Sequence, residues 1–287
     1  MDIGKRIYRL SRWLLSPLRG FGLRDYAIVR WLLSIMKPRI AYVHGFRINL
    51  DRTDESMSHF YIEGIQEPLE TRLVYELVRP GNVVLDIGAN IGYYTLLLSK
   101  LVGSEGKVYA FEPAPETYQL LKKNVRENRG NTLGQIYLNE VAASDHAGIG
   151  KLFINEYNKG NNRLYGSEKL RSVPIKLARI DDIVPKHQRI DFIKMDIEGA
   201  EVLALRGMQR MIERDKPTII MEFWPRRFPA LGTTASELIA TLESLGYIFE
   251  DIDEKNAKVQ PMKGCDLLKN YSDTIDGGTN IICRIKN

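Results

Sequence analysis

Three carboxylates stand where proton chemistry could be done: Asp196 in "DFIKMDIEGAE", Glu198 just after it, and Glu222 closing "IIMEF". Each apolar run reads as a buried strand, so each acid is expected at the carboxyl end of a strand. Ligands of open parallel sheets bind outside those ends. A carboxylate within hydrogen-bond distance of a hydroxyl can serve as its general base, a gain of about 10²–10⁴ in rate. Asp196 or Glu198 would be that base. Alternatively, Asp196 and Glu222, at neighbouring strand ends, share a divalent metal that acidifies the hydroxyl. A plainer role for Glu198 and Glu201 is to cap the helix that starts there.

A second constellation lies in "VVLDIGANIGYYTLLLSK", Val83 to Lys100. It has the outline of a nucleotide-binding turn but not its phosphate chemistry. A dinucleotide fold needs G-x-G-x-x-G, whose middle glycine admits the pyrophosphate. Here Gly88 and Gly92 are separated by Asn90, and Tyr93 follows. No lysine-bearing phosphate loop is present either. Asp86, before the glycines, repels phosphate and suits an amine. Glu112, closing "YAFE", is placed to take both hydroxyls of a ribose. The set calls for an adenine, a ribose, a positive charge and no phosphate, which is S-adenosylmethionine.

These residues need a frame. From residue 83 the pattern alternates: strand "VVLDI", helix 91–102, strand "KVYAFE", helix 115–128, strand "GQIYLNEVA". A polar insert over 144–172 reads as a hairpin plus a loop, and its Asn158, Asn161, Asn162 and Arg163 are candidates for acceptor recognition. Then come "VPIKLARIDDI", strand "DFIKMDI", one helix over 200–214, strand "PTIIMEF", a helix over 234–245, and strands "YIFEDID" and "TNIICRIK". Such alternation gives a mostly parallel sheet with helices on both faces. Upstream, "IAYVHGFRINLD" reads as a strand or hairpin bending at Gly45, and "HFYIEGIQEPLETRLVYELV" as a loop running into a helix. That loop is expected to act as a lid, with Tyr61 and Glu67 as its candidate site residues. His44, His59 and His187 read as solvent-facing loop residues.

"VLDIGANIGYYT", "FEP", "VAASD", "DFIKMDIEGAE" and "IIMEF", with "YIEGIQEPLE" upstream, resemble the FkbM-type S-adenosylmethionine-dependent methyltransferases over roughly residues 40–285. The resemblance implies an α/β class I methyltransferase (Rossmann-like) fold, with a seven-stranded mostly parallel sheet. It also implies O-methylation of a sugar, glycolipid or natural-product hydroxyl. Carried over, Asp86, Gly88, Asn90 and Gly92 line the methionine half of the cofactor. Glu112 holds the ribose, with Pro113 and Glu67 also on the cofactor side. The Val141–Ala142 backbone lies beside the adenine. The alternatives are a nucleotide-dependent oxidoreductase, disfavoured by Asp86 and the missing glycine, and a non-catalytic cofactor-binding protein of the same fold.

The charge is uneven. Residues 1–40 hold nine basic and two acidic residues, a net of +7; the chain nets +5, leaving −2 for the rest. That distribution argues against a nucleic-acid groove on the body and leaves a small-molecule or glycan acceptor as the expected partner. Apolar stripes over 3–16 and 24–37 predict amphipathic helices bearing Trp13 and Trp31. They either pack on the body or lie on an anionic membrane surface. No apolar run reaches the roughly 20 residues of a membrane span. The two cysteines have no metal-ligand spacing, consistent with a cytoplasmic protein, peripheral at the inner membrane face on the second reading. The expected organisation is a basic helical extension over 1–40, a strand, lid and helix segment over 41–80, and an S-adenosylmethionine-binding domain over 81–287.

Overall fold

The computed structural model describes residues 37–54, 64–130, 132–156, 158–272 and 277–286. The expected N-terminal helices (save Lys37), His59 and Tyr61 lie outside the described residues.

Strands β1 (Ile40–Val43) and β2 (Phe46–Asn49) form an antiparallel hairpin. Its turn is His44–Gly45, with φ of 54° and 90°, the backbone that matches the twist of a two-residue hairpin. His44 is not a free surface residue: its Nε2 is 2.9 Å from the Tyr93 hydroxyl. Helix α1 (Pro68–Leu77) follows. Leu69 and Glu70 donate their N–H groups to the Glu254 carboxylate, at 3.2 and 2.6 Å, so an acid distant in sequence caps the positive end of the helix.

The alternating core runs β3 (Val83–Ile87), α2 (Tyr93–Val102), β4 (Lys107–Phe111), α3 (Pro115–Glu127), β5 (Gln135–Asn139). β3 is buried at every position, as a strand covered on both faces must be. α2 is apolar nearly all round and is buried accordingly. Its Thr95 hydroxyl donates to Asp86 and its Ser99 hydroxyl to the Leu96 carbonyl. Asn124 of α3 ties the hairpin to the first loop: its Nδ2 donates to the carbonyls of Ile91, at 2.8 Å, and Asn49, at 3.2 Å.

The insert is β6 (Ala142–Ala143), β7 (Gly148–Phe153) and β8 (Ser172–Ala178), a separate three-stranded sheet in the order β6-β8-β7. The chain continues through α4 (Ile180–Ile183), β9 (Phe192–Met195), α5 (Glu201–Gly207), α6 (Gln209–Asp215), β10 (Thr218–Phe223) and a 3-10 turn, Pro225–Leu231. It ends with α7 (Ala235–Ser244), β11 (Tyr247–Asp253), β12 (Lys258–Met262), α8 (Gly264–Asn270) and β13 (Thr279–Ile285). The single helix expected over 200–214 is two. Asp181 accepts the N–H groups of Arg210 and Met211, at 2.9 and 3.2 Å. It thereby caps a fresh helix start at Met208, whose φ of −117° is not helical.

The main sheet has the order β12-β11-β13-β10-β9-β3-β4-β5. From β10 to β5 the strands are parallel; β13 is antiparallel to both neighbours. Seven strands are the expected set, and β12 extends the sheet to eight at its edge. Pro261 and Gly264 hide β12 and α8 from pattern reading, and a proline is tolerated on an edge strand. Ala41, Val43, Leu69 and Leu73 pack in one cluster with Val84 and Leu96. Among the described residues, no helix is long and apolar enough to cross a membrane.

Candidate active site

A cleft of 330 Å³ opens over the carboxyl ends of β3, β4, β9 and β10, within the range of small-molecule sites. Its first wall is the loop after β3. Gly88 and Ala89 both donate to the Phe111 carbonyl, at 3.0 Å. Gly88 has φ +88°, and a Cβ there would lie 1.9 Å from the Asp196 carbonyl oxygen. Only glycine lets the β3 and β9 loops meet this closely. Asn90 has φ 48°, a conformation asparagine tolerates through local hydrogen bonding, and its Oδ1 accepts from Ile91 N–H at 2.8 Å. Gly92 sits behind the wall against Leu121. Glu112 locks the loop: its carboxylate accepts the N–H groups of Asn90 and Ala114, both at 2.9 Å.

Asp86, Gly88, Asn90, Glu112, Pro113, Val141 and Ala142 all line the cleft, as do Asp196, Glu198 and Glu222. Glu67 does not; its neighbour Gln66 does. Glu67 instead accepts from Asn280 Nδ2 at 3.0 Å, and burial lifts its carboxyl to about 8. Asn158, Asn161 and Asn162 of the insert line the opposite side.

The three distal acids converge. The register Ile87–Met195–Met221 across β3, β9 and β10 brings Asp196 and Glu222 off adjacent strand ends. One carboxylate oxygen from each of Asp196, Glu198 and Glu222 lies within 4.8 Å of the others. Glu198 reaches in from a left-handed backbone, φ 58°, a conformation that costs roughly 1–2 kcal/mol. Glu201, not Glu198, steadies the helix start, its Oε1 accepting from Ile197 and Gly199 N–H at 3.4 and 3.3 Å.

Arg227 was invisible in the sequence. It comes from the 3-10 turn after β10, stacks on Trp224 at 4.0 Å, and places Nη1 2.5 Å from both Glu198 Oε2 and Glu222 Oε2. Arg163 stands 4.0 Å from Glu198. No hydrogen bond or ion pair with another described side chain engages the Asp196 carboxylate.

The electrostatics follow from many acids in little water. Burial pushes Asp86 up to about 6, against the Thr95 hydroxyl bond. It pushes Glu112 up to about 7, against the two backbone N–H bonds. Glu198 rises to about 8, through burial and then Asp196, and Glu222 is raised well above the carboxylate range for the same reasons. Such a site favours a cationic ligand.

A twisted sheet of six parallel strands, with one antiparallel strand, β13, inserted between the last two, β10 and β11, is the frame of the class I S-adenosylmethionine-dependent methyltransferases. This protein is an enzyme of that class. A model of the methyltransferase FkbM domain matches residues 86–249, more than half of the chain, and the chain belongs to that family. It is 25% identical over 203 residues to methyltransferase sdnD of Sordaria araneosa, covering 59% of this chain and 77% of that one. It is 25% identical over 220 residues to hexuronic acid methyltransferase AglP of Haloferax volcanii, covering 74% and 80%. Over 75 residues it is 39% identical to 31-O-demethyl-FK506 methyltransferase FkbM of Streptomyces tacrolimicus, covering 26% and 27%. Among solved structures it is similar to methyltransferase FkbM of Methylobacillus flagellatus, at 19% identity and a TM-score of 0.43, covering 79% of this chain and about half, 52%, of that one.

Proposed function

We propose that the enzyme transfers the methyl group of S-adenosylmethionine to a hydroxyl of a sugar, glycolipid or related natural product, with Asp196 as general base. The observation that carries this reading is the division of labour in the acid triad. Arg227 engages Glu198 and Glu222, leaving Asp196 as the member of the triad with no ion-pair partner among the described residues. Two relatives support the acceptor class: one is named for methylating a hexuronic acid, the other a 31-O-demethyl compound.

S-adenosylmethionine supplies an electrophilic methyl on a sulfonium. The chain's task is orientation, in which well-placed pairs gain up to about 7–11 kcal/mol, and removal of one proton. On this reading Asp86 faces the amino group, Glu112 takes the ribose hydroxyls with the one lone pair per oxygen that its backbone bonds leave, and Val141–Ala142 flank the adenine. Asp196 accepts the hydroxyl proton as the O–CH₃ bond forms and the S–CH₃ bond breaks. The asparagines of the insert contact the acceptor.

A divalent ion is the second reading, favoured by the convergence of the three acids within 4.8 Å. Their oxygens suit Mg²⁺ or Mn²⁺, but the Arg227 guanidinium holds two of them and would have to withdraw. Methyl transfer that survives EDTA supports the base reading. Loss in EDTA with recovery in Mg²⁺ assigns the triad to a metal.

The shifted acids give the cofactor site a pH dependence. A cation and ribose hydroxyl donors favour ionised carboxylates, so binding lowers the pKa values of Glu112 and Asp86 and releases protons. Affinity is therefore full above the free-site values and weakens as pH falls through about 7 and then about 6. Glu112→Gln should weaken S-adenosylhomocysteine binding about tenfold or more at pH 8, in calorimetry, through loss of charge-assisted bonds. It should also erase the step near 7 and leave that of Asp86. Wild-type affinity at pH 8 would remove Glu112 from the ribose.

The +7 segment over 1–40 is proposed to draw the enzyme to anionic lipid surfaces, where each basic residue contributes roughly 1 kcal/mol. Co-sedimentation with anionic liposomes at low salt is the expected result. Indifference to such liposomes assigns the segment to packing on the body.

A further inference from the structure

Beneath the first loop lies a buried ion pair that the roles above leave unused. Lys194, on β9 two residues before Asp196, is 1% exposed, and its partner Glu70, on α1, is wholly buried. Nζ lies 3.2 Å from Glu70 Oε1 and 5.3 Å from the centre of the Tyr94 ring. Among the described residues Glu70 is the ion-pair partner of this buried ammonium, which has three donors, and no further hydrogen bond engages Nζ. Burial opposes its charge, but Glu70, Asp196 and Glu67 more than compensate and hold it protonated.

As a device for stability alone this pair is poor, because apolar residues of similar volume commonly serve as well or better. Its position offers a better reason. Lys194 lines the cleft together with Asp86 and Asp196, and the sheet register sets it directly beside Asp86. The methionine end of the methyl donor is a zwitterion. Asp86 suits its amino group; its carboxylate needs a cation. Among the described residues, the cleft lining contains two lysines, Lys159 and Lys194. Lys159 is held at 2.6 Å from Asp51 and 2.9 Å from Glu116, at the start of α3. Arg227 and Arg163 face Glu198. We propose that the Lys194 ammonium anchors the carboxylate of the donor's methionine moiety, and that Glu70 is the positioning residue that aims it. This rests on S-adenosylmethionine as the donor. A zwitterion fixed at both charges holds the adjoining sulfonium toward Asp196, which gives the buried pair a part in orientation.

Two ligands separate this role from a structural one: S-adenosylhomocysteine and its decarboxylated analogue, compared by calorimetry. The wild-type enzyme should prefer the carboxylate-bearing ligand by about tenfold or more, the scale of a charge-assisted hydrogen bond. In Lys194→Met combined with Glu70→Gln, which leaves no unpaired buried acid, the two ligands should bind within about threefold of each other, near the limit of additivity. The decarboxylated ligand should keep its wild-type affinity. Equal binding of both ligands by the wild type overturns the proposal without any variant. A parallel loss of both in the double variant, with the preference intact, also overturns it and makes Lys194 a counter-ion only. Binding of neither ligand by the wild type would overturn the donor assignment itself.

Discussion

Asp196→Asn is expected to lose about 10²-fold or more in turnover while its shape and its surroundings are kept. The amide cannot take the hydroxyl proton. It still fills the space beside Glu222 at the strand end, so the fold should be unaffected. Affinity for S-adenosylhomocysteine should change by no more than about threefold, because an interaction made chiefly in the transition state lowers kcat far more than ground-state binding. Single-turnover kinetics and calorimetry on the same preparation make the comparison. A loss of affinity that matches the loss of rate would move Asp196 from proton transfer to holding the donor's amine. Normal turnover would remove it from the chemistry altogether.

Gly88→Ala should be the most damaging single methyl in the molecule's first loop. The new Cβ would meet the Asp196 carbonyl at 1.9 Å, from a backbone at φ +88°. Overpacking costs about 1–3 kcal/mol, and a left-handed backbone costs a further 1–2 kcal/mol or so. The expected result is a Tm lower by roughly 5–15 °C and donor binding largely lost, because the loop and the Asp196 backbone must part. Gly45→Ala is the control. Its φ is +90°, but its Cβ would meet nothing within 4 Å, so only the backbone penalty applies. If the two variants melt alike, the close approach of the two strand-end loops is not what Gly88 provides.

The contrast between these residues and Arg227 explains what the sequence could and could not disclose. Asp86, Glu112, Asp196 and Glu222 each end an apolar run, and a parallel sheet delivers strand ends to one edge. Their convergence followed from periodicity before any coordinates. Arg227 ends no pattern: it sits in "WPRRF", a polar turn, and its place between Glu198 and Glu222 depends on tertiary packing, including the bare backbone of Gly199 against its Cβ. Glu254 capping α1 across 185 residues and the Glu70–Lys194 pair are of the same kind. A lysine inside "DFIKMDI" was the one available signal of the latter, since a charge in a buried strand demands a partner. The split of the 200–214 helix was hidden for a similar reason, because its cause is Asp181, on another element.

The most direct measurement is the fate of a labelled methyl group. The enzyme would be incubated with [methyl-¹³C]S-adenosylmethionine and a panel of neutral and acidic sugars and glycolipids, and the products read by NMR. The account predicts a methyl ether carbon on one hydroxyl of an accepted sugar, formed one for one with S-adenosylhomocysteine and absent with Asp196→Asn. Label in an ester or on an amine, or S-adenosylhomocysteine released without an ether, would contradict it.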